Sequence, residues 1–514
     1  MRKLKLNATA AGIALVLSGS ANAVLPGVQT EVFMSGASAP SNMLRENIVQ
    51  FACDKTQPID VYVDFADQLP GNGDPALAEP IVEHRTFWTV QCTANSTMGS
   101  AAGTNIAFYK SDVGGSGNGT TPVHDAVPLQ FMDANKTNCA LKVSGQAQGN
   151  GGTYDLYECT QNNLVLQAPD VGASDVEASK FVGPLAPASG DFDNADGAVQ
   201  EKVGPGLIFG PIVTTSLRNE LQRDQIAAGM LAAGCEGDET EACMPSLPST
   251  VVRGITAGKY NKWSDISVYG QQLNVPAAFT SVDPKADNVH LCRRVKGSGT
   301  HAEYMMHYHR TNCYVAAQSM LSQPGSGTGF FPGPLVYENS SSGTLGSCLD
   351  AIENNSVLAT TKITPNIDGS VKSFGFGYQS TEKNIALAKD FRYVKVDMKA
   401  PTLANAIHGD YRQVYYSGFQ NRTGNYVAGA LRSADADTVK AQAIQDIFEN
   451  STNINSSIVK VLNKGFVHTW GASGFLVPDA TAPTVFTNDD PRTPWTRENA
   501  GGFADSCQPL FKKL

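Results

Sequence analysis

Ten cysteines, Cys53, Cys92, Cys139, Cys159, Cys235, Cys243, Cys292, Cys313, Cys348 and Cys507, are spread over most of this 514-residue chain. The fate of their thiols constrains the fold more than any other feature. An even number in an oxidising compartment favours disulfides, whereas the same residues in the cytosol would bind metal or do chemistry. The N-terminus decides between these. MRKLKL supplies a basic start, ATAAGIALVL a short apolar run, and Ala21-Asn22-Ala23 a small-x-small cleavage signal, together the pattern of a bacterial secretory peptide over residues 1–23, cut after Ala23. The apolar run is too short to span a bilayer, and no cysteine follows the cut to carry a lipid anchor. The sequence therefore predicts an exported protein, periplasmic or secreted, with disulfides. Cys235 with Cys243 and Cys139 with Cys159 are the local pairs; the rest of the connectivity stays open. Zinc is the competing use of the thiols, but no C-x-x-C pair occurs.

Such a length exceeds one ordinary core and implies two or three domains. With 41% hydrophobic and 17% charged residues and 49 glycines, the chain reads as globular and rich in turns. The formal net charge is −10, and loss of Arg2, Lys3 and Lys5 with the leader makes it −13. That balance argues against general affinity for nucleic acid or anionic membrane. No segment after the leader has eighteen apolar residues in a row, so the mature protein reads as soluble.

SNMLRENIVQFAC (41–53) places apolar residues at helical spacing after the serine and proline of SGASAP, and DADTVKAQAIQDIFENS (435–451) is a clear later helix. EVFMSG (31–36), IDVYVDF (59–65), GLIFGPIVTT (206–215) and FRYVKVDM (391–398) read as strands. Strands interleaved with helices predict an α/β class with a largely parallel sheet. DVGGSGNGTT (112–121) and SGQAQGNGGTYD (144–155) read as long loops or a small disulfide-held insertion. No internal repeat is present.

The stretch CRRVKGSGTHAEY (292–304) carries the chemistry. A Gly-Ser-Gly-Thr turn entering a helix offers backbone N–H groups without internal partners, hydroxyl donors, and the positive end of the helix dipole. Arg294 beside it can hold an oxyanion with two parallel hydrogen bonds. Alone, such a turn usually does nothing but turn. Yet SGASAP (35–40), DVGGSG (112–117), PDVGASD (169–175), ITAGKYNKWSDI (255–266), RRVKGSGT (293–300) and FGFGY (374–378) follow in one order, and with them the chain resembles the phosphate-binding subunit of the bacterial high-affinity phosphate transporter. The resemblance runs from about Glu31 to Asp479 and is interrupted by long insertions.

That resemblance implies a bilobal α/β periplasmic-binding-protein fold with disulfide-bearing insertions. Lobe one would hold residues 24–208 and 399–514, lobe two residues 209–398, with two crossing strands between them. It implies that Ser38 and Ala39 supply a hydroxyl and amides to an anion, that Asp175 accepts a proton from it, and that Arg294, Ser298, Gly299 and Thr300 supply charge and donors. Gly115 falls where the family has a ligand-binding serine, with Ser116 next to it; Ala39 stands where phenylalanine is usual. Lys296 replaces the aspartate that the family pairs with its arginine. Hydrogen phosphate can donate to Asp175, whereas sulfate would meet it as like charge, and an unpaired buried polar group costs about 1–3 kcal/mol. The other reading of Asp175 is a helix-capping loop aspartate. The implied partners are phosphate or a similar oxyanion and an inner-membrane ABC permease; no cofactor, metal or nucleic acid is implied, and a monomer is expected. The alternative is an exported protein of this fold with another ligand or an interaction role.

Other patterns fit less well. In THAEYMMHYH, Glu303 and His307 share a helical face while His301 and His309 point elsewhere, against a metal site and for a core or half-exposed helix. GDFDNADG (190–197) misses calcium-loop spacing, with Lys202 where the terminal glutamate belongs. RGITAGKYN is no nucleotide-binding loop, because its glycines are too close and no Ser or Thr follows the lysine. GASGF (471–475) is no nucleophile elbow. Nothing marks an enzyme's nucleophile and base.

Overall fold

The computed structural model describes residues 27–64, 67–68, 82–83, 86–147, 152–160, 163–281, 284–313, 334–356, 372–422, 466–482, 487, 490–497 and 504–512. The leader and the 435–451 helix of the sequence reading lie outside the described residues. Twelve strands form the path of the main sheet. In chain order they are β1 (Thr30–Gly36), β2 (Asp60–Val63), β3 (Phe87–Thr93), β4 (Asn105–Ser111), β5 (Cys139–Ala147), β6 (Thr153–Cys159), β7 (Val171–Ser174), β8 (Val199–Thr214), β9 (His290–Arg294), β10 (Leu335–Asn339), β11 (Gly375–Ser380) and β12 (Val414–Arg422). Their order across the sheet is β10-β9-β11-β8-β12-β7-β1-β4-β3-β2-β6-β5. The helices that matter below are α1 (Ser41–Asn47), α2 (Thr215–Ala227), α3 (Ser249–Thr256), α4 (Gly299–His309) and α5 (Ser342–Asn354).

The α/β class stands; the expectation of a largely parallel sheet does not. β7-β1-β4, β10-β9-β11 and β2-β6 pair in parallel, but β3 runs antiparallel between β4 and β2, and β5 antiparallel against β6. The reason lies partly in SGQAQGNGGTYD. Of the two readings, long loop or small disulfide-held insertion, the second fits: most of its described residues belong to the β5 and β6 strands, joined at the base by Cys139–Cys159. Cross-strand pairing and the disulfide override weak local strand propensity there.

β8 is the connector. Val199–Ile208 ladders with β12, then Phe209–Val213 with β11, so one 16-residue strand serves both halves of the sheet. Its register shifts between Val203 and Gly206. In the first half, period-two alternation splits the side chains between two cores. Val32, Met34, Val61, Val63, Ile106 and Phe108 join one cluster, and Phe33, Tyr62, Ala107 and Tyr109 the other. Burial on both faces matches the consecutive Val32, Phe33 and Met34 of β1.

Five disulfides account for every cysteine: the expected local pairs Cys139–Cys159 and Cys235–Cys243, and Cys53–Cys92, Cys292–Cys348 and Cys313–Cys507. Among the described residues no helix is long and apolar enough to cross a membrane.

Candidate oxyanion site

Parallel strands that lie side by side deliver their C-terminal turns to one place, which is where open α/β sheets form ligand sites. β4, β1 and β7 are such neighbours, and so are β9 and β10. After β1 come Ser38 and Ala39; after β4, Gly115 and Ser116; after β7, Asp175. β9 ends at Arg294 and leads through Ser298 into α4, while β10 leads through Ser340 and Ser341 into α5. The two halves meet there. Arg294 Nη1 donates to Ser38 Oγ at 3.3 Å and the Gly117 amide donates to the Gly297 carbonyl.

The first wall is held from beneath. Lys110, 1% exposed, donates from Nζ to the Gly36 and Ala37 carbonyls at 3.2 and 3.1 Å and to Asp112. Asp112 also accepts from Ser41 at 3.0 Å, and Ser41 in turn accepts from the Trp88 indole at 2.8 Å. Ser41 opens α1, which continues without a break into the turn Ile48–Ala52 and so fills the predicted helix.

Arg294 is 1% exposed. Its Nη1 donates to Ser342 Oγ (3.0 Å) as well as Ser38, Nη2 to the Ser340 carbonyl (2.9 Å) and Nε to the Asn339 carbonyl (3.2 Å). All four partners are neutral. Among the described residues no carboxylate lies within ion-pair distance of this guanidinium, and four of its five N–H donors are spent. Burial lowers its pKa to about 10, while Asp175 and Asp112, farther off, pull the other way. Lys296, which replaces the family's aspartate beside this arginine, is exposed at the surface.

Asp175, 4% exposed, is the acid of the site. Ser116 Oγ donates to its Oδ2 at 3.0 Å and accepts from its amide at 3.0 Å. The Ser116 hydroxyl is thus spent on positioning Asp175, which leaves Oδ1 buried without a partner. Burial raises the Asp175 pKa to about 7, against the lowering pull of Arg294 and Ser116.

α4 begins against this pair. A Cβ built on Gly299 would collide with Ser116 Oγ and Asp175 Oδ2, so only glycine lets the helix start so close. Ser298 occupies the N-cap with extended backbone, yet its hydroxyl makes no capping bond; Ser298 Oγ and Thr300 Oγ1 are both buried and unpartnered. A serine at that position normally caps. Gly115 closes the circle: a Cβ there would lie 3.0 Å from Ser298 Cα and 3.2 Å from Arg294 Nη2, at φ +70°. The shift from serine to glycine noted in the sequence is therefore one the packing requires.

Every residue singled out in the sequence, Ser38, Ala39, Gly115, Ser116, Asp175, Arg294, Ser298, Gly299 and Thr300, falls in this one cluster of strand ends and turns. Ser342 was missed. The only local signal for it is the run ENSSSG after an apolar strand, a second strand-to-helix junction like the one at Arg294.

The histidine-rich helix is core. His301 Nδ1 meets Tyr304 Oη at 2.8 Å, His307 Nδ1 meets Tyr415 Oη at 3.1 Å and His309 Nε2 meets Thr256 Oγ1 on α3 at 2.8 Å. Burial holds His307 and His309 down at about 3 and about 4. Glu303 is fully buried with both carboxyl oxygens unpartnered, and burial, with Asp175 nearby, drives its pKa well above 4.5. Among the described residues no group of three or more His, Cys, Asp or Glu is placed to hold a metal.

No family model matches the chain, and no curated protein matches it. Among solved structures, it is similar to a Clostridium perfringens protein described as a phosphate ABC transporter substrate-binding protein with bound phosphate: 10% identity over 86% of this chain and 99% of that one, TM-score 0.39. It is also similar to an ABC-type phosphate transport receptor from Vibrio cholerae, 10% identical over 55% and 74% of the two chains, TM-score 0.26. A third is PstS from Borrelia burgdorferi, 11% identical over 63% and 87%, TM-score 0.28.

Proposed function

We propose that this chain is an exported, non-enzymatic solute-binding protein that holds an oxyanion, inorganic phosphate foremost, between two lobes and delivers it to an ABC permease. One observation supports this above the rest: Arg294, a buried guanidinium in an acidic protein, hydrogen-bonds only to neutral groups, while the carboxylates of Asp175 and Asp112 act on it from farther off. A buried charge without a close countercharge is costly and is normally paired or neutralised. A bound anion supplies the missing countercharge. Asp175 narrows the choice of anion, since its free Oδ1 can accept a proton that hydrogen phosphate carries and sulfate lacks.

The lobes are residues 24–208 with 399–514, and 209–398; β8 carries the chain from the first into the second. Donors come from both sides, Ser38 from one and Arg294, Ser298 and Thr300 from the other. Binding therefore favours the closed arrangement by whatever contact it makes with the second side.

Isothermal titration of the mature protein with phosphate and sulfate tests the reading. Phosphate is expected to bind and sulfate not at neutral pH, and Asp175→Asn is expected to erode that preference. Absence of heat with either anion would refute oxyanion binding.

A further inference from the structure

Ser342 lies 48 residues from Arg294 in sequence, on a different strand-to-helix junction, yet its hydroxyl is part of the same polar group. Ser342 Oγ is 3.0 Å from Arg294 Nη1 and 3.1 Å from Ser38 Oγ, and Arg294 Nη1 is 3.3 Å from Ser38 Oγ. Ser342 is 2% exposed and Ser38 6%. We propose, resting on the oxyanion reading above, that Ser342 is a further ligand-contacting residue of this site.

Counting protons shows why the pair is not already satisfied. Each hydroxyl accepts from Arg294, and one donates to the other, so one O–H proton remains unspent. An anion entering between Ser38 and Ser342 would receive both. Ser298, whose buried hydroxyl is unpartnered, is also near this guanidinium: its Cβ lies 3.4 Å and Arg294 Nη2 3.2 Å from the point where a Gly115 Cβ would stand. Buried and unused donors close to a guanidinium that hydrogen-bonds to no carboxylate are what a ligand site requires.

The placement of Ser342 is built in. α5 spans 13 residues, and the Ser341–Thr344 capping box starts it, with Ser341 Oγ accepting from the Thr344 amide at 3.2 Å. Ser341 does the capping, so the Ser342 hydroxyl is free of that duty. Cys348 on α5 is bonded to Cys292 on β9, two residues before Arg294. The helix that presents Ser342 is thereby clamped to the strand that presents Arg294. A neutral hydroxyl at a helix N-terminus orients the guanidinium without cancelling its charge, whereas an acidic partner would compete with the ligand.

The test is titration of inorganic phosphate into the wild type, Ser342→Ala and Ser342→Thr, with thermal unfolding of each in the absence of phosphate. Ser342→Ala is expected to weaken phosphate binding by about ten- to a hundredfold, the effect of one hydrogen bond to a charged group, while its unfolding transition stays cooperative with a midpoint lowered by the loss of one acceptor of Arg294. Ser342→Thr, which keeps the hydroxyl, is expected to keep most of the affinity. Wild-type affinity in Ser342→Ala would overturn the inference and leave the oxyanion reading intact. A wild type that binds no oxyanion would overturn both.

Discussion

Asp175 sits where burial and a neighbouring cation pull its titration in opposite directions, and burial wins: its pKa rises from 3.8 to about 7. Between those values the folded chain binds a proton that the unfolded chain has already released. Stability without ligand therefore falls as pH rises through that window, and the loss remains above it. A shift of this size corresponds to something on the order of 4 kcal/mol. Asp175→Asn removes the ionisation and is expected to flatten the stability profile, with the variant gaining on the wild type at pH 8 and little changed at pH 4. Urea midpoints measured across that range check it; parallel profiles for the two proteins would show that Asp175 is not held protonated by the fold. Bound phosphate is expected to have its largest stabilising effect at the alkaline end, where its proton relieves an ionised Asp175.

At the scale of elements, the start of α4 is a tight joint. Gly299 lets the helix press against Ser116 and Asp175, and any side chain there must push that pair aside. Gly299→Ala is expected to weaken phosphate binding sharply and to cost about 1–3 kcal/mol of stability, the usual penalty of overpacking. Calorimetry and denaturant melts read the two effects separately. A variant that binds phosphate normally would place the ligand away from this joint. The start of α5 differs in kind, because its capping box is complete without Ser342. One helix end is specified by steric closeness and the other by hydrogen bonds, which is why substitution at Gly299 should displace the start of its helix and substitution at Ser342 should leave the start of α5 in place.

For the whole molecule, Cys313–Cys507 closes a loop over a sequence separation of 194 residues, with Cα atoms 5.2 Å apart. Cys313 follows α4. The segment around Cys507 is tied to the first half, where the Ser506 amide donates to Glu177 at 2.8 Å, two residues past Asp175. Asn312 reaches the same region through the Lys180 and Val182 carbonyls, both at 2.8 Å. This crosslink ties the segment after α4 to the segment around Glu177, so in the two-lobe reading proposed above any relative motion must keep both sulfurs together. Cys313→Ser with Cys507→Ser is expected to lower stability by about 2–5 kcal/mol, as loss of a native disulfide that closes a long loop does. It is also expected to speed phosphate release, which stopped-flow displacement measures. Unchanged release would mean that the crosslink stabilises the fold without restraining the opening.

Local chemistry made much of this legible in advance. The export pattern and even cysteine count pointed to disulfides, and the two short-range pairs followed from proximity in sequence. Glycine, serine and arginine at strand-to-helix junctions marked the places where amides and hydroxyls go unspent, and Ser38, Asp175, Arg294 and Ser298 do lie together. What the chain could not reveal by itself depends on contacts between distant segments. The glycine-rich 144–155 stretch is largely strand because a partner strand and a disulfide hold it. Ser342 joins Arg294 because β9 and β10 pair in parallel, and Ser116 and Asp175, 59 residues apart, are bonded to each other only because the fold sets the turns after β4 and β7 side by side. Backbone preference and side-chain chemistry act over a few residues and can be read in order along the chain. Which donors face one another, and which charge is left without a partner, is decided only when the sheet sets those segments side by side.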